Sequence, residues 1–163
     1  MKAKRGFTLV EILIVVVILG ILAAIVIPQF TEASGEAKLS SLCTDLQSVR
    51  SQIELYKIQH NDALPGEDNT ALGGTHTGAS GFLNGLIGYT NIDGIVQPGP
   101  GANVYGPYLQ KLPTNPFNNF NTVRIDGAAA GANTDGWRFD STSGQVQADD
   151  SESSPDGIAH TVL

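Results

Sequence analysis

Glu11 stands alone as a charge in an apolar run that extends from Phe7 to Ile27, and the chemistry open to a carboxylate in such a place is to hold a cation. In low dielectric an ammonium and a carboxylate attract far more strongly than in water, although desolvation takes back much of the gain. Left unpaired deep in lipid, the carboxylate costs about 2.5 to 3.5 kcal/mol. Such a pair therefore supplies position more than net stability, because a misplaced partner is penalised.

A second set of chemically able residues lies near the other end. Asp149, Asp150, Glu152 and Asp156 offer the hard oxygen ligands that calcium prefers, but their spacing is not that of an EF-hand, and a solvated acidic tail is the plainer expectation. His60, His76 and His160 have no nucleophile or metal-ligand spacing around them, and His76 reads as exposed. The chain has no phosphate-binding Gly-Lys-Ser/Thr loop, no Gly-x-Ser-x-Gly elbow and no zinc motif, so no enzyme is expected. The formal net charge of −7 argues against a basic nucleic-acid-binding face.

The element that must position Glu11 is a helix. About 21 residues at 1.5 Å each span roughly 30 Å, one hydrocarbon core. Lys2, Lys4 and Arg5 precede the run and the next charge after Glu11 is Glu32, so the positive-inside rule keeps the amino terminus cytoplasmic. A secretory signal peptide has the same order of parts but a shorter core of ~7 to 15 residues and an Ala-x-Ala site, which this run lacks. A plain anchor gives no reason to keep Glu11.

Gly6-Phe7-Thr8-Leu9-Val10-Glu11 followed by the apolar run resembles the class III signal of type IV pilins and type II secretion pseudopilins. The resemblance implies a leader over residues 1–6, cut after Gly6 by a prepilin peptidase that then methylates the amine of Phe7. It implies a transmembrane and assembly helix over 7–29, with Phe7, Glu11, Gly20 and Pro28 as assembly positions. Cutting there removes Lys2, Lys4 and Arg5 and places a cationic amine four residues before Glu11. Met by a neighbour's amine, Glu11 sets the axial stagger of a filament. Its own amine, one turn away, is the alternative partner.

Past Pro28, roughly 135 residues remain, enough for one ordinary core. Leu39, Leu42, Leu46, Val49, Ile53 and Tyr56 recur at three and four, an apolar stripe that predicts an amphipathic helix over 30–60. It is too short for sustained heptads. Asn61 to Gly66 collects turn formers that stop it near His60, while Gly20 and Pro28 predict a bend or local loss of helix between them. Cys43 borders the stripe as a small packing residue, and as the single cysteine it forms no intrachain disulfide. Many type IV pilins close a C-terminal loop with a cysteine pair, so this departure points toward pseudopilins.

Residues 61–104 read as a surface loop with one short helix near Phe82 to Leu86, and the resemblance implies that this loop is variable. Tyr105 to Asn119 then resembles the Tyr-Leu-x-x-Leu-Pro-x-Asp-Pro-Trp-Gly-Asn stretch of major pseudopilins, with Asn115 for the usual aspartate and Phe117 for the usual tryptophan. In the β region, 105–163, the pairs Val123/Ile125, Trp137/Phe139 and Val146/Ala148 alternate with polar residues, predicting three short antiparallel strands. Trp137 and Phe139 are placed against the Leu42 to Ile53 stripe.

The fold expected is α+β and pilin-like: a long N-terminal helix, half transmembrane and half amphipathic, packed on a small antiparallel head over 30–163. The resemblance implies a structural filament subunit, first a type II secretion pseudopilin that polymerises from the inner membrane to drive protein export. A type IV pilus pilin for adhesion, motility or DNA uptake is the alternative, and an adhesin that borrows the pilin export route comes third. Partners implied are copies of the chain in a helical filament, the prepilin peptidase, an inner-membrane assembly platform and other minor pilins or pseudopilins. Localisation follows as a single-pass inner-membrane protein whose filament lies in the periplasm or, for the alternative, on the cell surface. No cofactor is expected. Because major pseudopilins bind calcium in a C-terminal loop, Asp149, Asp150, Glu152 and Asp156 are the place to look for one.

Overall fold

A computed structural model describes residues 7–67 and 78–163, which divide into two compact units at Ala37 and Lys38. The leader 1–6, with Gly6, and the segment containing His76 lie outside the described residues. Helix α1 covers Leu9–Gln59, within two residues of the expected limits. Along its first part the large apolar side chains from Leu9 to Ile27 are all exposed, and the helix contains an 18-residue window of mean hydropathy 3.3. Of the bend or local loss of helix expected between Gly20 and Pro28, the loss is not present: the segment is helical throughout. Proline withdraws a single N–H there, and the apolar helix on both sides propagates across that gap.

In the second unit α1 behaves as its stripe dictates. Leu42, Leu46, Val49, Ile53 and Tyr56 are buried, and Leu39 and Cys43 are half-buried at its margin. The helix ends through two left-handed residues, Asn61 (φ 53) and Asp62 (φ 64), types that tolerate that conformation. The N–H of Asp62 donates to the carbonyl of Lys57 at 2.9 Å.

His60, next to this cap, is buried. Its Nδ1–H donates to the Tyr56 carbonyl at 2.8 Å, so Nε2 accepts from the Thr90 hydroxyl at 2.9 Å. The ring stacks on Tyr56 with centroids 3.7 Å apart. Burial pushes its pKa below the ordinary 6.5, against the opposing pull of the Tyr56 and Asn91 backbone and Asp93. The unfolded chain therefore takes up a proton first on acidification. Stability from this group is full above pH 6.5 and is lost as pH falls through the lowered folded value. Melting of the protein in detergent is expected to show a positive slope of Tm with pH in this window, and His60→Asn to flatten it; an unchanged slope refutes the assignment.

Within the segment expected to be a loop, the described residues from Gly78 onward carry more regular structure than their composition suggests. Helix α2, Gly78–Ile87, buries Phe82 and Leu86, extending the short helix read from the sequence. It leads into a sheet of β1 (Tyr89–Asn91), β2 (Val96–Gln97) and β3 (Val104–Tyr105) in the antiparallel order β2-β1-β3. The hairpin is closed by Asn91, whose Oδ1 accepts the N–H of Asp93 at 3.1 Å and of Ile95 at 2.9 Å. An Asx turn of this kind is invisible to apolar periodicity.

The strands of the β region fall where alternation put them: β4 (Val123–Ile125), β5 (Trp137–Phe139) and β6 (Val146–Ala148), in the order β4-β5-β6. β5 and β6 are antiparallel as expected, with Trp137 opposite Ala148 and Phe139 opposite Val146. β4 instead runs parallel to β5. Side chains alternate with the same period in both senses of pairing, so the pattern could not distinguish them. The connection from Asp126 to Gly136 is long enough to carry the chain back to the start of a parallel neighbour. Trp137, Phe139, Val123, Val146 and Ala148 close one core with the α1 stripe, Phe82, Leu86 and Leu112. A 3-10 turn at His160–Val162 follows. Arg50 fastens the end of the chain to α1, donating to the carbonyl oxygens of Val146 at 2.8 Å and Leu163 at 2.6 Å.

Candidate functional site

At the start of α1 the chain builds a reciprocal cap. The N–H and the hydroxyl of Thr8 both donate to Glu11 Oε2 at 2.8 Å, and the N–H of Glu11 points back to Thr8 Oγ1 at 3.3 Å. This is the capping box, Thr-x-x-Glu ahead of an apolar run, which satisfies two of the donors that a helix leaves orphaned. Both Thr8 bonds fall on Oε2, so a cation can be received through Oε1 without dismantling the cap. Phe7, beside it, is exposed. The structure thus places Phe7 and Glu11 within one turn. Gly20 and Pro28 lie farther along the same helix, and an added Cβ at Gly20 would meet nothing within 4 Å.

The four carboxylates near the other end do not form the solvated tail that their composition suggests. Asp149 and Asp150 are fully buried, whereas Glu152 and Asp156 are exposed. Among the described residues no group of three or more His, Cys, Asp or Glu side chains gathers as a metal site. Asp149 Oδ1 accepts from Arg124 Nη2 at 2.7 Å and from the N–H groups of Gly131 at 3.0 Å and Ala132 at 3.2 Å. Its Oδ2 accepts from the Thr134 hydroxyl and the N–H of Asp135, both at 3.3 Å. Burial alone would raise the Asp149 pKa, but the Arg124 bond and charge and the Asp135 and Ala132 amides outweigh it, so the carboxyl sits below its ordinary 3.8.

Asp150 has separate partners. Its Oδ1 meets His160 Nδ1 at 2.6 Å and the N–H of Glu152 at 3.1 Å, and its Oδ2 accepts from Asn115 Nδ2 at 2.8 Å. Asn115 Nδ2 also reaches the Gly136 carbonyl at 3.0 Å, while its Oδ1 accepts the N–H of Phe117 at 2.9 Å. This explains the departure from the aspartate of the Tyr105 to Asn119 pattern: a carboxylate at 115 would face Asp150 with like charge and no proton to donate. Phe117, in place of the tryptophan, lies on His160 with ring centroids 4.1 Å apart.

Trp137 is a packing residue as expected, fully buried with its Nε1–H donating to the Pro113 carbonyl at 2.8 Å. Sequence reasoning missed Thr8, Arg124 and the Asn115–Asp150–His160 cluster. The Thr-x-x-Glu spacing could have revealed the first. Nothing local could have paired residues as far apart as 124 with 149 or 115 with 150.

Residues 1–27 match the model of the prokaryotic N-terminal methylation motif. Over 118 residues the chain is 33% identical to the type II secretion system core protein G of Pseudomonas aeruginosa, spanning 72% of this chain and 71% of that one. Core protein G of Klebsiella pneumoniae is 30% identical over 121 residues, 73% of each chain. A fimbrial protein of P. aeruginosa is 41% identical over 54 residues, 33% of this chain and 35% of the other. No solved structure matches. An apolar helix opened by a methylation motif, a small α+β head behind it, and similarity that runs through more than two thirds of both sequences place the chain in the family of type II secretion system core protein G, the major pseudopilins.

Proposed function

We propose that this pseudopilin is a structural, non-enzymatic subunit that polymerises from the inner membrane into a periplasmic filament and so drives protein export. The observation that carries this reading over a pilus is extent: likeness to core protein G spans 72% of the chain, well into the head, whereas likeness to the fimbrial protein spans 33%.

In this reading a prepilin peptidase cuts after Gly6, and the methylated amine of Phe7 becomes the cation for Glu11, in its own chain or a neighbour's. The Thr8 cap holds the carboxylate in one orientation while Oε1 takes the ammonium. The chain crosses the inner membrane once with its amino terminus cytoplasmic, and is drawn into the filament by an assembly platform together with other pseudopilins. The exposed apolar side chains of Leu9 to Ile27 then exchange lipid for one another. Gly20 and Pro28 mark where α1 yields within the polymer.

Intact-mass and N-terminal peptide spectrometry of the protein from membranes tests the first step. The mature chain is expected to begin at Phe7 with a methylated amine; a product that keeps Met1 to Gly6 refutes it. The fimbrial match supports a second reading, a type IV pilus subunit. Deletion decides between them: lost exoprotein secretion supports the first, and lost surface fibres with secretion intact supports the second.

A further inference from the structure

We propose that the Arg124 guanidinium is a resident cation of the head, organising the connection between β4 and β5 in the role that a bound calcium ion would otherwise fill, with Arg138 Nε adding one bond to the Ala128 carbonyl at 2.9 Å. Arg124 stands on β4 and reaches over the chain that follows it. Its Nη1 donates to the carbonyl oxygens of Asp126 at 3.0 Å and Ala128 at 2.7 Å, and its Nη2 to the Ala129 carbonyl at 3.4 Å and to Asp149 Oδ1 at 2.7 Å. Three main-chain carbonyls and one carboxylate oxygen around a single positive charge are the kind of oxygen set that calcium selects. Here each of them is already occupied by an N–H.

The remaining chemistry of the site also disfavours a metal. Asp149 is fully buried, and its second oxygen is covered by Thr134 and Asp135. The buried atom at this hub without a partner is Arg124 Nε, a donor that repels a cation. Guanidinium and carboxylate already cancel, so a divalent ion added beside them would bring two uncompensated positive charges into a desolvated place. Neighbouring carboxylates offer no relief, since Asp150 is bound to His160 and Asn115 and Glu152 and Asp156 are exposed. The loop is instead closed by the Asp149 carboxylate on the N–H groups of Gly131, Ala132 and Asp135. Gly131 supplies the positive φ of 97° that the turn needs. A fixed charge on a strand does here what a diffusible ion does elsewhere, so the order of this loop is independent of calcium in the medium.

Hydrogen exchange read by mass spectrometry, together with thermal melting of the full chain in detergent micelles, tests it. With millimolar calcium chloride or with EDTA, wild-type Tm and the exchange of residues 126–135 are expected to coincide. Arg124→Ala is expected to speed exchange in that segment by about tenfold or more, and Arg124→Lys, which keeps the charge but loses the planar fork, to fall between the two. Should Arg124→Ala fail to fold, the wild-type comparison still decides. Calcium that raises wild-type Tm and protects 126–135, with the response lost in Asp149→Asn, overturns the proposal. So does an Arg124→Ala protein whose 126–135 segment exchanges as the wild type does.

Discussion

Glu11→Ala is expected to insert into the inner membrane as the wild type does and to fail in building filaments. If Glu11 pairs with the Phe7 amine, in its own chain or a neighbour's, the size of the effect follows from what that amine is left with. An ammonium without its carboxylate at membrane depth costs about 2.5 to 3.5 kcal/mol, and about 1.4 kcal/mol is tenfold in an equilibrium, so subunit addition should weaken by about two powers of ten. Because Glu11 also closes the cap on α1, alanine removes both functions together. Glu11→Gln separates them: glutamine is accepted in a capping box but carries no charge. If the register depends on charge, the glutamine variant assembles as poorly as alanine. If capping is the whole role, it assembles as the wild type does. Carbonate extraction reports insertion, and electron microscopy of sheared fibres reports assembly. Wild-type fibre number and length in Glu11→Ala would dispose of the register mechanism.

Trp137→Ala is expected to have the largest effect on the head. The indole is fully buried between the α1 stripe and the strands, and its N–H is spent on Pro113. Truncating a buried tryptophan to alanine costs about 3 to 5 kcal/mol, a large share of the 5 to 15 kcal/mol that is typical of a whole domain. A drop in Tm on the order of 10 °C or more follows, measured by calorimetry because the helix dominates far-UV signals. Trp137→Phe keeps most of the packing but orphans the Pro113 carbonyl, and should cost about 1 to 3 kcal/mol. An alanine variant melting within a degree or two of wild type would show that the core has been misread.

What could be read in the sequence was whatever repeats within a few residues. The stripe from Leu42 to Tyr56, the stop near His60 and the positions of β4, β5 and β6 all come from local periodicity or turn chemistry, and all agree with the structure. The parallel sense of β4, the sheet between Tyr89 and Tyr105 and the burial of Asp149 and Asp150 did not emerge, because each depends on partners far away in the chain. Acidic composition suggested solvent for the last two. Their burial is explained by Arg124 and the amides of Gly131, Ala132 and Asp135 around Asp149, and by Asn115 and His160 beside Asp150, and a carboxylate goes inside when its partners do. The methylation motif was legible for a different reason: it is a contiguous string whose residues need no distant partner to be recognised.

Arg50 is joined to the carbonyls of Val146 and Leu163 across 96 and 113 residues, which has a bearing on the order of events as the protein is made. Non-local closures of that length are slow, since chain entropy opposes them before any contact rewards them. A helix emerging first from a translocation channel would carry Leu42 to Tyr56 uncovered until the closing strand had followed it out. During that interval the bare apolar stripe is open to association with other chains, so swift delivery of the trailing residues limits the time for which the newborn subunit is prone to aggregate.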